Sequence, residues 1–136
     1  MNHLFAYGTL MCQDIMREVA GCSRAHAPGT LHGFRRKSVR GEAYPGIRPD
    51  ATGKVDGVVY FDVPDWAWQR LDRFEGPMYR RRLLEVELGE AVVAAGAYVV
   101  RTEFPHRLEE RDWDLSEFLS KGKAIFKRSY QGYRSL

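Results

Sequence analysis

Glu75 is the residue whose type and spacing most invite a chemical reading. Trp68, Leu71 and Glu75 fall at i, i+3 and i+7, so a helix here sets the carboxylate on the face of two large apolar side chains, beside Phe74. A charge buried on such a face is costly unless it is paired. Burial also raises a carboxyl pKa toward neutrality, where the group can both take and give a proton. The same spacing fits a carboxylate at a frayed helix end paired with Arg73, Arg80 or Arg81, and spacing alone does not separate the two.

Tyr7-Gly8-Thr9-Leu10 is the second candidate. A glycine straight after a strand lets the backbone approach a ligand and present N–H groups in a concave turn, which can hold a carboxylate or an oxyanion. An ordinary strand-ending turn has the same sequence. The tetrapeptide lacks the further glycines of a dinucleotide fingerprint and the Gly-Lys-Ser/Thr of a phosphate loop.

Other chemistries find no support. His3, His26, His32 and His106 make no metal-ligand spacing with one another, with cysteine or with clustered carboxylates, so no metal is expected. Cys12 and Cys22 form neither a disulfide framework nor a zinc pattern and read as two reduced, semi-buried thiols. No Gly-x-Ser-x-Gly elbow occurs. Trp66, Trp68 and Tyr98 are expected in the core rather than on a base-stacking platform.

The elements that must position these residues fit one domain, 1–136. With 44% hydrophobic and 29% charged residues the composition is that of a globular chain, not a disordered one. No apolar run approaches the ~20 residues that cross a bilayer, and no secretory signal is visible, so the expected location is cytoplasmic. The net charge of +3 suits solubility and by itself names no partner. The basic cluster Arg35-Arg36-Lys37 with Arg40 invites a nucleic-acid reading, but acidic residues intersperse it and no binding motif accompanies it. Neither nucleic acid nor membrane is expected as a partner, and the oligomeric state is not legible.

His3–Tyr7 reads as a first strand and Asp14–Ala20 as a short helix stopped by Gly21. Ala27–Glu42 is extended, Tyr44-Pro45-Gly46-Ile47-Arg48-Pro49-Asp50 has the composition of a turn, and Val55–Val63 is a strand. A helix opens at Pro64-Asp65 and ends at Gly76-Pro77; strands follow at Tyr79–Leu88 and Ala91–Arg101. A last helix begins near Asp112-Trp113-Asp114, weakened at Gly122. Five to seven strands not strictly interleaved with two or three helices argue for α+β, with an antiparallel or mixed sheet that curls into a small barrel.

In order along the chain, Tyr7-Gly8-Thr9-Leu10, Tyr44-Pro45, Val55-Asp56-Gly57-Val58-Val59-Tyr60 and above all Leu71-Asp72-x-Phe74-Glu75-Gly76-x-x-Tyr79-x-Arg81 resemble the gamma-glutamylcyclotransferase-like family. The resemblance spans roughly Leu4 to Val100. It implies a small mixed barrel flanked by helices, and an intramolecular aminolysis that converts a γ-glutamyl amide into 5-oxoproline and a free amine or amino acid. It further implies Glu75 as the catalytic acid/base, Tyr7, Gly8, Thr9, Leu10 and Tyr79 around a small-molecule γ-glutamyl substrate, and no cofactor. Arg81 is either a structural partner or an anion contact. The stretch Arg107–Asp114 is expected near the pocket rim. A non-catalytic binding or interaction module reusing the same pocket is the alternative.

Overall fold

Two long strands with period-2 patterning form the frame of the computed structural model, which describes residues 2–130. β2 (His26–Val39) and β3 (Pro45–Tyr60) pair antiparallel nearly end to end. Val55, Gly57 and Val59 turn inward while Lys54 and Asp56 face out, as alternation along a strand requires. The short β1 (Leu4–Ala6) lies against β3, and β4 (Tyr79–Leu88) and β5 (Ala91–Val100) form a regular antiparallel pair.

The strand order β3-β1-β5-β4-β2, closed by the β2–β3 pairing, makes a five-stranded barrel. A sixth strand, β6 (Leu108–Asp112), is appended to the outer part of β2. The sheet is mixed, because β1 runs parallel to β5 whereas the other pairs are antiparallel. The α+β barrel expected from the element order is therefore the fold observed.

The segment 44–50 is a correction. It was expected as a turn, but Pro45–Asp50 is the first part of β3, and the chain reverses at Arg40–Tyr44 instead. Proline is tolerated in sheets at a first residue or a bulge. Pro45 is the first residue of β3, and Pro49 pairs with Phe34 where the register slips between His32 and Phe34. β6 was not foreseen as a strand either; its sequence, Leu-Glu-Glu-Arg-Asp, carries almost no strand signal.

The helices cover one side of the barrel. α1 (Gln13–Ala20) packs on α2 (Asp65–Glu75), and Arg70 of α2 donates to the Val19 and Glu18 carbonyls at the end of α1. α2 buries Ala67, Trp68, Leu71 and Phe74, an i, i+1, i+4, i+7 stripe. Gly76, at φ 81°, ends it in a backbone region that favours glycine. Trp66, expected in the core, lies on the outer face and is largely exposed.

The C-terminal helical run consists of α3 (Leu115–Glu117), a π-helical turn (Phe118–Gly122) and α4 (Lys123–Ser129). Asp114 caps its start by accepting from the Ser116 N–H. Lys123 and Lys127 both reach Asp14 of α1 at 3.0 Å. Desolvation works against the Asp14 carboxylate, yet hydrogen bonds from the two lysines hold its pKa at about 2. Among the described residues, no helix is long and apolar enough to cross a membrane.

Two apolar clusters result. Phe5, Tyr7, Leu31, Ile47, Val55, Val59, Val86, Ala95, Ala97 and Val99 belong to one, within the barrel. Leu4, Ala6, Ile15, Val19, Trp68, Leu71, Phe74 and Tyr98 belong to the other, beneath the helices. β1 is buried on both faces, contributing alternate residues to each cluster. The loop that follows it emerges where the two cores meet.

Candidate active site

The turn after β1 is shaped by what happens to its carbonyls. Arg36 donates to the Tyr7 oxygen at 2.6 Å, and the Tyr60 hydroxyl donates to the Leu10 oxygen at 2.7 Å. The Gly8 oxygen accepts from the Met11 N–H at 3.0 Å and the Thr9 oxygen from the Cys12 N–H at 3.1 Å, closing a short 3-10 turn over Thr9–Met11. All four carbonyls are thus engaged. The N–H groups of Gly8, Thr9 and Leu10 find no acceptor among the described residues, which is the arrangement of a donor nest. Gly8 is needed for space: a Cβ there would lie 2.7 Å from Pro45 Cγ and 2.8 Å from Cδ, against a ring that cannot swing away.

Facing this turn is the end of α2. Its last turn sets Phe74 into the core and leaves Glu75 half-buried at the barrel mouth. Tyr7, Gly8, Thr9, Leu10, Glu75 and Tyr79, all singled out from the sequence, line one narrow cavity. Tyr44, Pro45, Tyr98 and Tyr130 complete its polar and aromatic wall. Its volume of about 30 Å³ is room for about one water molecule. Glu75, Tyr44, Phe74, Tyr79 and Tyr130 also line a wider outer cavity of about 650 Å³, together with Arg73, Met78, Phe104 and Arg107. Glu75 therefore belongs to the wall shared by a narrow inner cavity and a wide outer one.

The electrostatics of this wall are one-sided. Desolvation, reinforced by the nearby Asp72 charge, pushes the Glu75 carboxyl up to about 8. None of Arg73, Arg80 and Arg81 forms an ion pair with it; Arg81 instead pairs with Asp72 at 3.6 Å and stacks over Trp68 at 4.8 Å. The structural role expected of Arg81 is thus met at Asp72 and Trp68.

The tyrosines are locked in the protonated form. Tyr7 donates to the Tyr98 carbonyl, Tyr79 to the Pro45 carbonyl at 2.7 Å, and Tyr98 to Asp72 at 2.7 Å. Burial pushes Tyr7 and Tyr79 well above the ordinary phenol range and Tyr44 up to about 12. Among the described residues lining the inner cavity, Glu75 is consequently the side chain that titrates near neutral pH.

Tyr130 closes the wall. Its hydroxyl donates to the Phe74 and Glu75 carbonyls at 2.8 and 3.1 Å, and its ring stacks on Phe126 with centroids 4.7 Å apart. Neither Tyr130 nor Tyr98 carries a sequence signal for this role, since both reach the site from distant segments. The expected rim over Arg107–Asp114 is met only by Arg107; Arg111, Asp112, Trp113 and Asp114 line a different depression beside the π-helical turn.

The basic cluster on β2 is divided by the strand. Arg35 pairs with Asp50 at 2.9 Å, and the buried Lys37 donates to the Glu110 carbonyl at 2.7 Å and pairs with Asp112 at 2.8 Å. Arg36 turns the other way, onto the Tyr7 carbonyl. No group of three or more His, Cys, Asp or Glu side chains that would hold a metal occurs among the described residues, and Cys12 and Cys22 are free thiols, one buried and one half-buried.

Fold and site together define a small mixed-barrel protein with a helix-borne carboxyl set into an aromatic wall. Residues 4–115 match the family described as Gamma-glutamyl cyclotransferase, AIG2-like, and the chain belongs to that family. It is 32% identical over 125 residues to AIG2-like protein C of Arabidopsis thaliana, covering 90% of this chain and 72% of that one. To AIG2-like protein D of the same plant it is 36% identical over 91 residues, 67% of this chain and 60% of that one, so it spans less than two thirds of that relative's length. A solved structure described as Gamma-glutamyl cyclotransferase shares the fold at a TM-score of 0.65 and 19% identity, over 74% of this chain and 66% of that one.

Proposed function

We propose that this protein is a cyclotransferase that releases 5-oxoproline and a free amine or amino acid from a γ-glutamyl amide, with Glu75 as its acid/base. The observation that carries the reading is the juxtaposition of a carboxyl whose pKa stands at about 8 with the unengaged N–H groups of Gly8, Thr9 and Leu10 in one cavity.

The nucleophile and electrophile belong to the same molecule, so holding it folded supplies much of the rate through proximity. The α-ammonium group of the substrate must first lose a proton. Glu75, as carboxylate, takes it; the freed amine attacks the γ-carbonyl carbon, and the carbonyl oxygen gathers negative charge. The N–H groups of the Gly8–Leu10 turn stabilise that charge or the substrate carboxylate. Protonated Glu75 then returns the proton to the departing nitrogen as the C–N bond breaks, and the ring nitrogen, which still bears two hydrogens, passes one to the regenerated Glu75 carboxylate, from which it leaves with the amine product. A pKa near the working pH suits both halves of this shuttle.

The inner cavity has room for about one water, so a γ-glutamyl group needs more space, and the Tyr130 wall, held by two hydroxyl bonds and a ring stack, is the side proposed to give way. The leaving group then lies in the outer cavity. The direct test is mass-spectrometric detection of 5-oxoproline after incubation with a panel of γ-glutamyl amino acids and γ-glutamyl amines. Product accumulation supports the reading; a folded protein that saturably binds members of the panel but yields no product favours a binding module instead.

A further inference from the structure

We infer that Arg36 is a positioning residue of this site, holding the Tyr7–Gly8 peptide so that the Gly8 N–H is aimed and strengthened as a donor to the γ-glutamyl substrate; the inference rests on the cyclotransferase reading above. Arg36 does not line the inner cavity and so acts through the backbone. Its Nη1 donates to the Tyr7 oxygen at 2.6 Å and to the Asp56 oxygen at 3.1 Å, while its guanidinium lies over the Trp113 ring, 5.3 Å from the centroid. These contacts hold it from three elements: β3 through Asp56, the turn after β1 through Tyr7, and the segment after β6 through Trp113.

The consequence follows from peptide geometry. No cis peptide bond occurs among the described residues, so the Tyr7 carbonyl and the Gly8 N–H point in opposite directions within one plane. Fixing the oxygen on Arg36 turns the N–H away from Arg36, to the side where Gly8 lines the cavity. A cation at the oxygen also draws electron density from the amide nitrogen, which makes the N–H a stronger donor. Arg36 is the one hydrogen-bond anchor of this plane itself, because no other hydrogen bond to the Tyr7 oxygen or from the Gly8 N–H is present among the described residues.

The experiment compares Arg36→Met, Arg36→Lys and, as a charge control, Arg35→Met, whose parent side chain pairs outward with Asp50. Two readouts are taken: kcat/KM for 5-oxoproline release, and the 15N–1H resonance of the Gly8 amide in the substrate-free protein. Arg36→Met is expected to lower kcat/KM about 10- to 100-fold, the effect of losing one charge-assisted hydrogen bond, and to move the Gly8 resonance. Arg36→Lys restores a single donor to the Tyr7 oxygen but not the stacked fork, and is expected to recover most of both. Arg35→Met is expected to leave both unchanged.

Wild-type kcat/KM in Arg36→Met would overturn the inference. So would lost activity with an unmoved Gly8 resonance, since a structural role alone gives that result, and so would an Arg36→Lys protein as impaired as Arg36→Met. Should Arg36→Met not fold, Arg36→Lys decides: a Gly8 resonance near its wild-type position supports the inference, and a fully displaced one overturns it. If the wild type turns over no γ-glutamyl substrate, the cyclotransferase reading fails separately, and the resonance still tests the orientation of the peptide.

Discussion

Replacing Glu75 by glutamine is expected to stabilise the protein at alkaline pH and to leave it nearly unchanged at acidic pH. The carboxyl is raised from an ordinary 4.5 to about 8 on folding. A raised acid binds its proton more tightly in the folded state, so its contribution is intact below pH 4.5, declines as pH rises through the interval to 8, and is flat beyond. The difference between 4.5 and about 8, at about 1.4 kcal/mol per tenfold change in proton affinity, corresponds to about 4–5 kcal/mol lost by pH 9, and to under about 1 kcal/mol at pH 5. Glutamine has the same shape and no charge. Its own desolvation is close to that of the protonated carboxyl and cancels against it at every pH, so the net gain at pH 9 is about 4–5 kcal/mol. Urea unfolding of both proteins from pH 5 to pH 9 reads this directly. The wild-type curve should fall relative to the variant curve by about 4 kcal/mol across that range. Parallel curves would refute the burial of an uncompensated carboxyl on which the mechanism depends.

Three further outcomes are expected. The acid limb of kcat/KM should lie near pH 8, because the free enzyme must carry Glu75 as carboxylate; Asp72→Asn removes the lesser of the two causes of the raised pKa and should move that limb to lower pH, never higher. Gly8→Ala should cost about 1–3 kcal/mol of stability, from overpacking against Pro45, and should depress turnover strongly; urea unfolding and 5-oxoproline assay check the two effects. Tyr130→Phe removes the hydroxyl bonds to Phe74 and Glu75 while keeping the stack on Phe126, so the wall opens more readily and KM should fall by up to several-fold; an unchanged or raised KM would speak against an opening step.

The parts of the site legible in the sequence are those carried by short contiguous segments. Glu75 was legible because helical period and apolar neighbours sit within one element, and α2 has the expected bounds almost to the residue. The turn at Gly8 was legible because a glycine follows a strand directly. Tyr98 and Tyr130 were not, since barrel closure and the packing of α4 bring them in from far along the chain, and no local pattern encodes that approach. Arg36 was hidden for another reason. In a row of basic residues it looks like solvated surface, and only the pleat of β2 separates it from outward-facing Arg35. Segment 44–50 misled because proline and glycine usually mark turns, whereas here the prolines occupy a strand start and a position beside a break in register.

The most direct test of Glu75 as the acid/base takes a γ-glutamyl substrate that the wild type converts and measures its Kd and single-turnover rate with Glu75→Gln. The mechanism predicts binding within a few-fold of the wild type and a rate of 5-oxoproline formation reduced by about 100-fold or more, the scale of a lost general base. A glutamine variant that binds and cyclises the substrate at the wild-type rate would contradict it.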